Sequence, residues 1–142
     1  MKNNKFVALV ATMMMAFSTA GSADVSIVVN AKTDISEISE AHLARIFLGK
    51  ASKTDAGKLI IPIDQHLGSD LRSKFYQELT HKDQAQLKTY WAKQVFTGEA
   101  RPPRMLDNDE EIKNFVAGNP STIGYIASSS VDDSVKVIMQ IP

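Results

Sequence analysis

The sequence contains no cysteine, which excludes disulfide bonds, a thiolate nucleophile and a cysteine-ligated metal site. It also has no surplus of either charge, because 16 basic side chains face 16 acidic ones. A nucleic-acid-binding protein or a polybasic membrane-surface protein needs an excess of lysine and arginine. What remains is one domain of ordinary composition, with 44% hydrophobic side chains in 142 residues and a core held by packing alone.

The first 23 residues have the three parts of a secretory signal peptide. Lys2 and Lys5 precede an uncharged, mostly apolar stretch over residues 6–17, and small residues follow over 18–23. The apolar stretch is about a dozen residues long, against the roughly 20 that a membrane-spanning helix requires. We therefore expect export with cleavage near Ala23, which leaves one domain over residues 24–142 with a net charge of −2.

Apolar runs and capping residues predict alternating strands and helices in the exported domain. The predicted strands cover residues 25–29, 59–63, 122–127 and 135–141, and the predicted helices have N-caps at Ser39, Ser69, Asp83 and Asp107. Residues 99–106 contain two consecutive prolines and are predicted to form a surface loop. The order β-α-β-α-α-α-β-β with buried strands indicates an α/β sandwich, a small mixed sheet flanked by helices.

Residue patterns typical of catalytic or metal sites are missing from the sequence. There is no Gly-x-Ser-x-Gly elbow of a serine hydrolase. The histidines His42, His66 and His81 are not spaced to place two metal ligands on one helix face. The acidic group over residues 107–111 lies at a predicted helix start, where carboxylates favour the helix dipole and act as caps. We therefore expect a protein that is not an enzyme and that has no catalytic residue, cofactor or metal.

The strand-to-helix junction over residues 63–75 is the main candidate for a ligand site. Ligands of α/β proteins lie in the crevice at the carboxyl ends of strands, and the free N–H groups of a helix start bind anions. Gly68 allows a ligand to approach the backbone, Ser69 offers a hydroxyl, and Arg72 lies one turn into the helix. The same pattern also fits a plain cap at Ser69 with a solvent-exposed Arg72.

Two further groups have alternative interpretations. Arg101 and Arg104 flank the two prolines, so they either bind an anion from a stiff loop or pair with the chain's own acids and water. Tyr125 either lines the crevice or packs in the core, and Tyr90 and Trp91 are expected to pack against neighbouring helices.

Three segments resemble the second lobe of the phosphate-binding proteins of bacterial ABC importers, which have a type II periplasmic binding fold. They are LARIFLGK over residues 43–50, the Gly-Ser helix start, and FVAGNPSTIGY over residues 115–125. The family's segments read approximately Leu-x-x-Ile-Phe/Tyr-Leu-Gly-Lys, Arg-x-x-Gly-Ser-Gly-Thr-x-x-x-Phe and Phe-Val-x-x-x-Pro-Gly-Ala-Ile-Gly-Tyr. Order and spacing agree over nearly the whole exported domain, so the resemblance implies a single lobe of that fold in the periplasm.

The resemblance also implies a ligand site in the middle segment, where the family binds phosphate through arginine, serine, glycine and threonine. Gln65 aligns with that arginine and Ser69 with the serine, whereas Asp70 and Leu71 replace the glycine and the threonine. A carboxylate at Asp70 opposes a bound anion. The expected ligand-binding residues are Gln65, Gly68, Ser69, Asp70 and Arg72.

These observations predict a module that binds phosphate or another small oxyanion weakly. Ser69 and the backbone after Gly68 supply donors, while Gln65 and Arg72 orient the ligand. The alternative is a periplasmic protein-interaction or sensory accessory domain that keeps the fold and has lost the ligand site. A homodimer that rebuilds a two-lobed crevice is a third possibility. The expected partners are therefore a small oxyanion, an ABC permease, another periplasmic protein or a second copy of the chain.

Overall fold

The computed structural model describes residues 24–142, so the predicted signal peptide and its cleavage site lie outside the described residues. The strands are β1 (Val25–Asn30), β2 (Ile61–Gln65), β3 (Arg104–Leu106), β4 (Thr122–Ala127) and β5 (Val135–Ile141). The helices are α1 (Glu40–Phe47), α2 (Asp70–Thr80), α3 (Gln84–Thr97) and α4 (Asp109–Gly118), and a 3₁₀ turn covers Ser128–Ser130. Over residues 24–142, none of the helices combines the length and apolar character needed to cross a membrane.

The five strands form one mixed sheet in the order β3-β2-β4-β1-β5. Strand β2 is parallel to both β3 and β4, whereas β1 is antiparallel to β4 and β5. Because β2, β3 and β4 run in the same direction, their carboxyl ends lie together at one end of the sheet, which we call the carboxyl edge. The predicted fold class, a small mixed sheet flanked by helices, is confirmed.

Helices cover both faces of the sheet. Neighbouring residues of β1 point to opposite faces, and Ile27 belongs to a core cluster built with α1, α2 and α3, whereas Val28 belongs to a second cluster built with α4. Aromatic rings fill the first cluster. Phe75 of α2 stacks on Tyr125 of β4 with ring centroids 3.8 Å apart, and Phe47 of α1 meets Phe75 edge-on at 4.8 Å. The middle of α2 is thereby fixed against the sheet.

Strand β2 lies two residues later than predicted. It begins at Ile61, and Pro62 pairs with β4 before the pairing with β3 starts at Ile63, so the proline occupies a strand end as expected. The shift matters for the site, because Asp64 and Gln65 become buried strand residues instead of members of a polar connection. The apolar run over residues 59–63 predicted the strand there. It did not indicate that the polar residues Asp64 and Gln65 continue the pairing.

The predicted loop over residues 99–106 is wrong at its end, where Arg104–Leu106 forms β3 parallel to β2. Three residues are too few to carry a period-two pattern, so only the neighbouring strand defines this one.

Three of the four predicted helix caps are confirmed. Ser39 and Ser69 accept hydrogen bonds from the N–H groups three residues on, and Asp83 forms a capping box with Gln86. The fourth is wrong by one residue, because Asn108 and not Asp107 caps α4. An Asp or Asn followed by a Glu three residues later occurs in two overlapping registers here, and spacing alone does not distinguish them.

Candidate functional site

The junction between β2 and α2 lies at the carboxyl edge of the sheet and exposes a helix start. The Ser69 N–H donates to the His66 carbonyl at 3.1 Å, and the Ser69 hydroxyl oxygen accepts from the Arg72 N–H at 3.1 Å. The N–H groups of Asp70 and Leu71, the first two residues of α2, have no acceptor within residues 24–142. Two backbone donors and one hydroxyl proton are therefore available at this point.

Gly68 leaves the backbone of the junction open. A Cβ added there would meet only the His66 ring, at 3.6 Å, and its φ is not positive, so neither space nor conformation requires glycine. Gly68 and Asp70 are exposed, and Ser69 is half-buried. These three residues lie where the sequence predicts a ligand site.

Arg72 does not point toward the junction. Its side chain is only 3% exposed, Nε donates to Asp64 Oδ2 at 3.3 Å, and Nη1 donates to Gln84 Oε1 at 2.5 Å. The guanidinium also lies over the Tyr76 ring, 5.0 Å from its centroid. The interpretation of Arg72 as a solvent-exposed side chain is therefore wrong, and its predicted role in orienting a ligand has no direct contact to support it.

Asp64 is the centre of a buried polar cluster beneath the junction. Its carboxyl group is fully buried and accepts from the hydroxyls of Tyr125 at 2.5 Å and Tyr76 at 2.7 Å, in addition to Arg72 and the Gln65 N–H. Burial raises the pKa of Asp64, and the Arg72 charge and the two hydroxyls act against that rise. Burial and the nearby Asp64 charge also raise the pKa of Tyr76 and of Tyr125 well above 10, so both phenols keep their protons.

Gln65 is also held inside the molecule. It is 3% exposed, and its Nε2 donates to Asp109 Oδ1 at 2.7 Å and to the Tyr125 carbonyl at 3.2 Å. Asp109 in turn accepts from the Ala127 N–H and the Ser130 hydroxyl. Gln65 thus connects β2 to the start of α4 and the end of β4, and its predicted contact with a ligand would require breaking these bonds.

An acidic depression adjoins the junction on the α4 side. It has a volume of about 500 Å³ and is lined by Gln65, His66, Ser130 and residues 107–110, which include three carboxylates. Carboxylates repel an anion, so this depression is unsuited to phosphate. The two sides of the carboxyl edge therefore differ in charge.

A second cavity, of about 360 Å³, lies on the other side of α2. We call it the α2–α3 cavity, and it is lined by Leu67, Arg72, Gln84, Lys88, Trp91, Pro102 and Met105. Sequence reasoning assigned Trp91 to packing and did not single out Gln84 or Lys88. A signal was present, because residues 84, 88 and 91 fall on one face of a helix and combine two polar groups with an indole.

Arg101 and Arg104 line neither the junction between β2 and α2 nor the α2–α3 cavity. They line a cavity of about 370 Å³ between residues 99–104 and the segment leading into β2, and the Arg104 guanidinium lies 4.9 Å from the Phe115 ring centroid. Tyr125 belongs to the core, since it is fully buried. Within the described part of the chain, no group of His, Asp or Glu side chains is arranged to hold a metal ion.

Comparison with known proteins supports a shared fold. No family model matches the chain, and no curated protein matches it. Among solved structures, a putative phosphate ABC transporter substrate-binding protein from Clostridium perfringens with bound phosphate superposes with a TM-score of 0.64 at 22% identity, covering 82% of this chain and 45% of that one. An ABC-type phosphate transport receptor from Vibrio cholerae gives a TM-score of 0.65 at 20% identity, with 82% and 46% covered. PstS from Borrelia burgdorferi gives 0.59 at 17% identity, with 82% and 47% covered.

The chain therefore shares its fold with part of each of these three proteins. The chain spans less than half the length of these structures, which agrees with a single-lobe resemblance. The first two neighbours are a substrate-binding protein and a transport receptor. At identities of 17–22% the likeness describes the fold, and the site must be argued from its own residues.

Proposed function

We propose that the protein is an exported, non-enzymatic binding module that holds a small oxyanion, with phosphate as the reference ligand, at the start of α2. The observation that carries this proposal is the pair of unpartnered N–H groups at Asp70 and Leu71, next to the Ser69 hydroxyl and at the carboxyl edge of the sheet. Helix N-termini in this position bind anions through such groups.

The contacts available to the ligand differ from those expected at first. Gly68 and Ser69 keep their predicted roles in this proposal, because both are accessible. Arg72 and Gln65 act indirectly, since they fix α2 and β2 from below through Asp64 and Asp109. With no cation in direct contact, the oxyanion is bound by neutral donors only.

Binding in this proposal is weak. The hydrogen bonds to the oxyanion are charge-assisted from the ligand's side alone, because no cationic side chain of the protein pairs with it. The Asp70 carboxylate and the acidic depression both disfavour an anion. We therefore expect a dissociation constant in the millimolar range, which corresponds to about −4 kcal/mol.

Titration calorimetry with phosphate, sulfate and small carboxylates tests the proposal. Ser69→Asp is the informative variant, because aspartate still caps the helix but places a negative charge where the anion would lie. Ser39→Asp is the matched control, since it makes the same change at the cap of α1, away from the junction. We expect saturable binding by the wild type and by Ser39→Asp, and none by Ser69→Asp. Equal binding by all three proteins would overturn the proposal, as would no binding by any.

The second candidate function is that of a periplasmic interaction domain, and the exposure of Leu67 favours it. This leucine is 68% exposed at the turn before α2, so its apolar surface is available to a partner. Phe96, on α3, is 92% exposed. Cross-linking in periplasmic extract, with Leu67→Asp and Ser69→Ala as bait variants, separates the two functions. A stoichiometric partner lost only in Leu67→Asp supports interaction, and one lost only in Ser69→Ala supports the ligand site.

A further inference from the structure

Two residues that line the α2–α3 cavity carry a buried donor without an acceptor, although neither nitrogen atom itself faces the cavity. Over residues 24–142, Gln84 Nε2 and Trp91 Nε1 are the buried side-chain polar atoms that have no hydrogen-bond partner. Both residues lie on α3, and Trp91 is only 7% exposed. Buried polar groups in native proteins are nearly always paired, so two orphaned donors beside one cavity are unusual, and the flexible Gln84 side chain is the one that a rotation can bring to the cavity.

The charge of the cavity has one sign. Lys88 lies one turn after Gln84, is exposed, and has no ion pair within the described residues. The guanidinium of Arg72 forms part of the wall, with Asp64 behind it. None of the seven lining residues is acidic. An acceptor that enters the cavity therefore meets one unpaired cation, Lys88, and no carboxylate of the lining, since the charge of Arg72 is paired with Asp64.

The remainder of the lining is apolar. Leu67, Pro102 and Met105 come from three different segments and face the same space as the Trp91 ring. A volume of about 360 Å³ lies within the range of small-molecule sites, which combine an apolar body with a few converging polar groups. The cavity is too apolar for phosphate alone and too cationic for a hydrocarbon.

We infer that the α2–α3 cavity binds a small organic monocarboxylate with a compact apolar body. The apolar body packs among Leu67, Trp91 and Met105, and the carboxylate accepts from Gln84 Nε2 and pairs with Lys88. Neither orphaned nitrogen is exposed in the empty cavity, so on binding the Gln84 amide rotates, releases Arg72 Nη1 and presents its N–H to the carboxylate, while Lys88 attracts the ligand from outside. This site is separate from the start of α2 and does not depend on oxyanion binding there.

Trp91 is the only tryptophan of the chain, so its fluorescence and its single indole N–H resonance both report on the cavity. The probes are benzoate and hexanoate, with benzyl alcohol as the neutral analogue of benzoate and inorganic phosphate as the anion without an apolar body. We expect a saturable change in both signals with benzoate or hexanoate, at least tenfold weaker binding of benzyl alcohol, and no effect of phosphate on the indole.

Three variants identify the polar partners. Gln84→Glu keeps the oxygen that accepts from Arg72 and suits the first turn of a helix, but it replaces the free donor with a negative charge. It should fold as well as the wild type and weaken benzoate binding more than about tenfold, because like charges repel. Lys88→Gln should weaken it about threefold, the usual worth of a partly exposed ion pair. Lys93→Gln, an exposed lysine of the same helix outside the cavity lining, should change nothing.

The outcomes are decisive in both directions. No saturable change with either carboxylate, in fluorescence or in the indole resonance, overturns the inference. So does a Gln84→Glu protein that retains its unfolding midpoint and binds benzoate as the wild type does. Binding of benzyl alcohol as tight as that of benzoate shows an apolar cavity without carboxylate recognition, and this also refutes it. Loss of phosphate binding in Ser69→Asp with intact benzoate binding separates this site from the proposed oxyanion site.

Discussion

The guanidinium of Arg72 lies against the carboxyl group of Asp64, with Nε 3.3 Å from Oδ2, and both side chains are buried. The pair connects the first turn of α2 to the carboxyl end of β2, eight residues earlier. An arginine that seemed available to a ligand therefore has a structural role. It holds the helix start in place, so that the N–H groups of Asp70 and Leu71 face outward at the carboxyl edge.

Removing the charge of Asp64 should destabilise the protein strongly. In Asp64→Asn the buried Arg72 loses its carboxylate, and the Tyr76 and Tyr125 hydroxyls lose an acceptor. Breaking one side of a buried ion pair costs about 3–5 kcal/mol. Urea unfolding measures the loss, with exposed Asp70→Asn as the matched control, expected within about 0.5 kcal/mol of the wild type. A loss below about 1 kcal/mol in Asp64→Asn would contradict the structural role of the pair.

Two glycines should respond to alanine in opposite directions. At Gly124 an added Cβ would lie 2.8 Å from Ile112 Cγ2 and 3.4 Å from Val116 Cγ2, because β4 packs closely on α4. Overpacking of this kind costs about 1–3 kcal/mol. At Gly118, the last residue of α4, nothing lies within 4 Å of the new methyl group, so alanine should be neutral or stabilising by up to about 1 kcal/mol. Thermal unfolding of both variants is the test, and a stabilised Gly124→Ala would refute the close packing.

Fold and caps were largely predictable from the sequence, whereas the polar contacts beneath the junction were not. Ser39, Ser69 and Asp83 are local signals, since each cap needs only residues within its own first turn. The bond from Tyr125 to Asp64 joins residues 61 positions apart, and nothing in either segment specifies it. On α2 the apolar residues Leu71 and Leu79 are only partly buried, while Arg72 and Tyr76 occupy the buried face.

The residues of the candidate site also divide into those that local sequence signals predict and those that tertiary contacts determine. Gly68, Ser69 and Asp70 were placed correctly at an exposed helix start, because strand, turn and cap are all local. The directions of Gln65 and Arg72 depend on Asp109 and Asp64, which approach through tertiary packing. The α2–α3 cavity draws residues from α2, α3, the proline segment and β3. Because β3 itself was not predicted, the sequence could have indicated at most the α3 face of this cavity.

The pair between Asp132 and Lys113 should make part of the stability dependent on acid pH. The hydrogen bond from Lys113 and the bonds from Ser134 hold the pKa of Asp132 well below its usual range. A carboxyl group with a lowered pKa stabilises the folded state fully above its unfolded pKa, which is near 4. This contribution is lost as the pH falls below 4 toward the lower pKa of the folded state. The difference in unfolding midpoint between wild type and Asp132→Asn should therefore shrink between pH 7 and pH 3. If the difference in unfolding midpoint stayed constant from pH 7 to pH 3, the Asp132–Lys113 pair would not be a source of pH-dependent stability.

Replacing the carboxylate next to the proposed oxyanion site should improve binding. Asp70→Asn keeps the size of the side chain and removes a negative charge that opposes phosphate. Since Asp70 is exposed and therefore screened by solvent, we expect a gain of about three- to tenfold in phosphate affinity. Calorimetry compares it with Glu78→Gln, an exposed acid near the other end of α2, which should leave the affinity unchanged. An equal gain in both variants would indicate a general charge effect and no local site.

The most direct test of oxyanion binding at the start of α2 is a titration of the isotopically labelled protein with phosphate, followed through its backbone amide resonances. The proposal predicts that the amide signals of Asp70 and Leu71 shift along one saturable curve in the millimolar range, and that Ser69→Asp abolishes the shift. If those two signals stay in place while others move, or if no signal moves at all, the start of α2 is not the binding site.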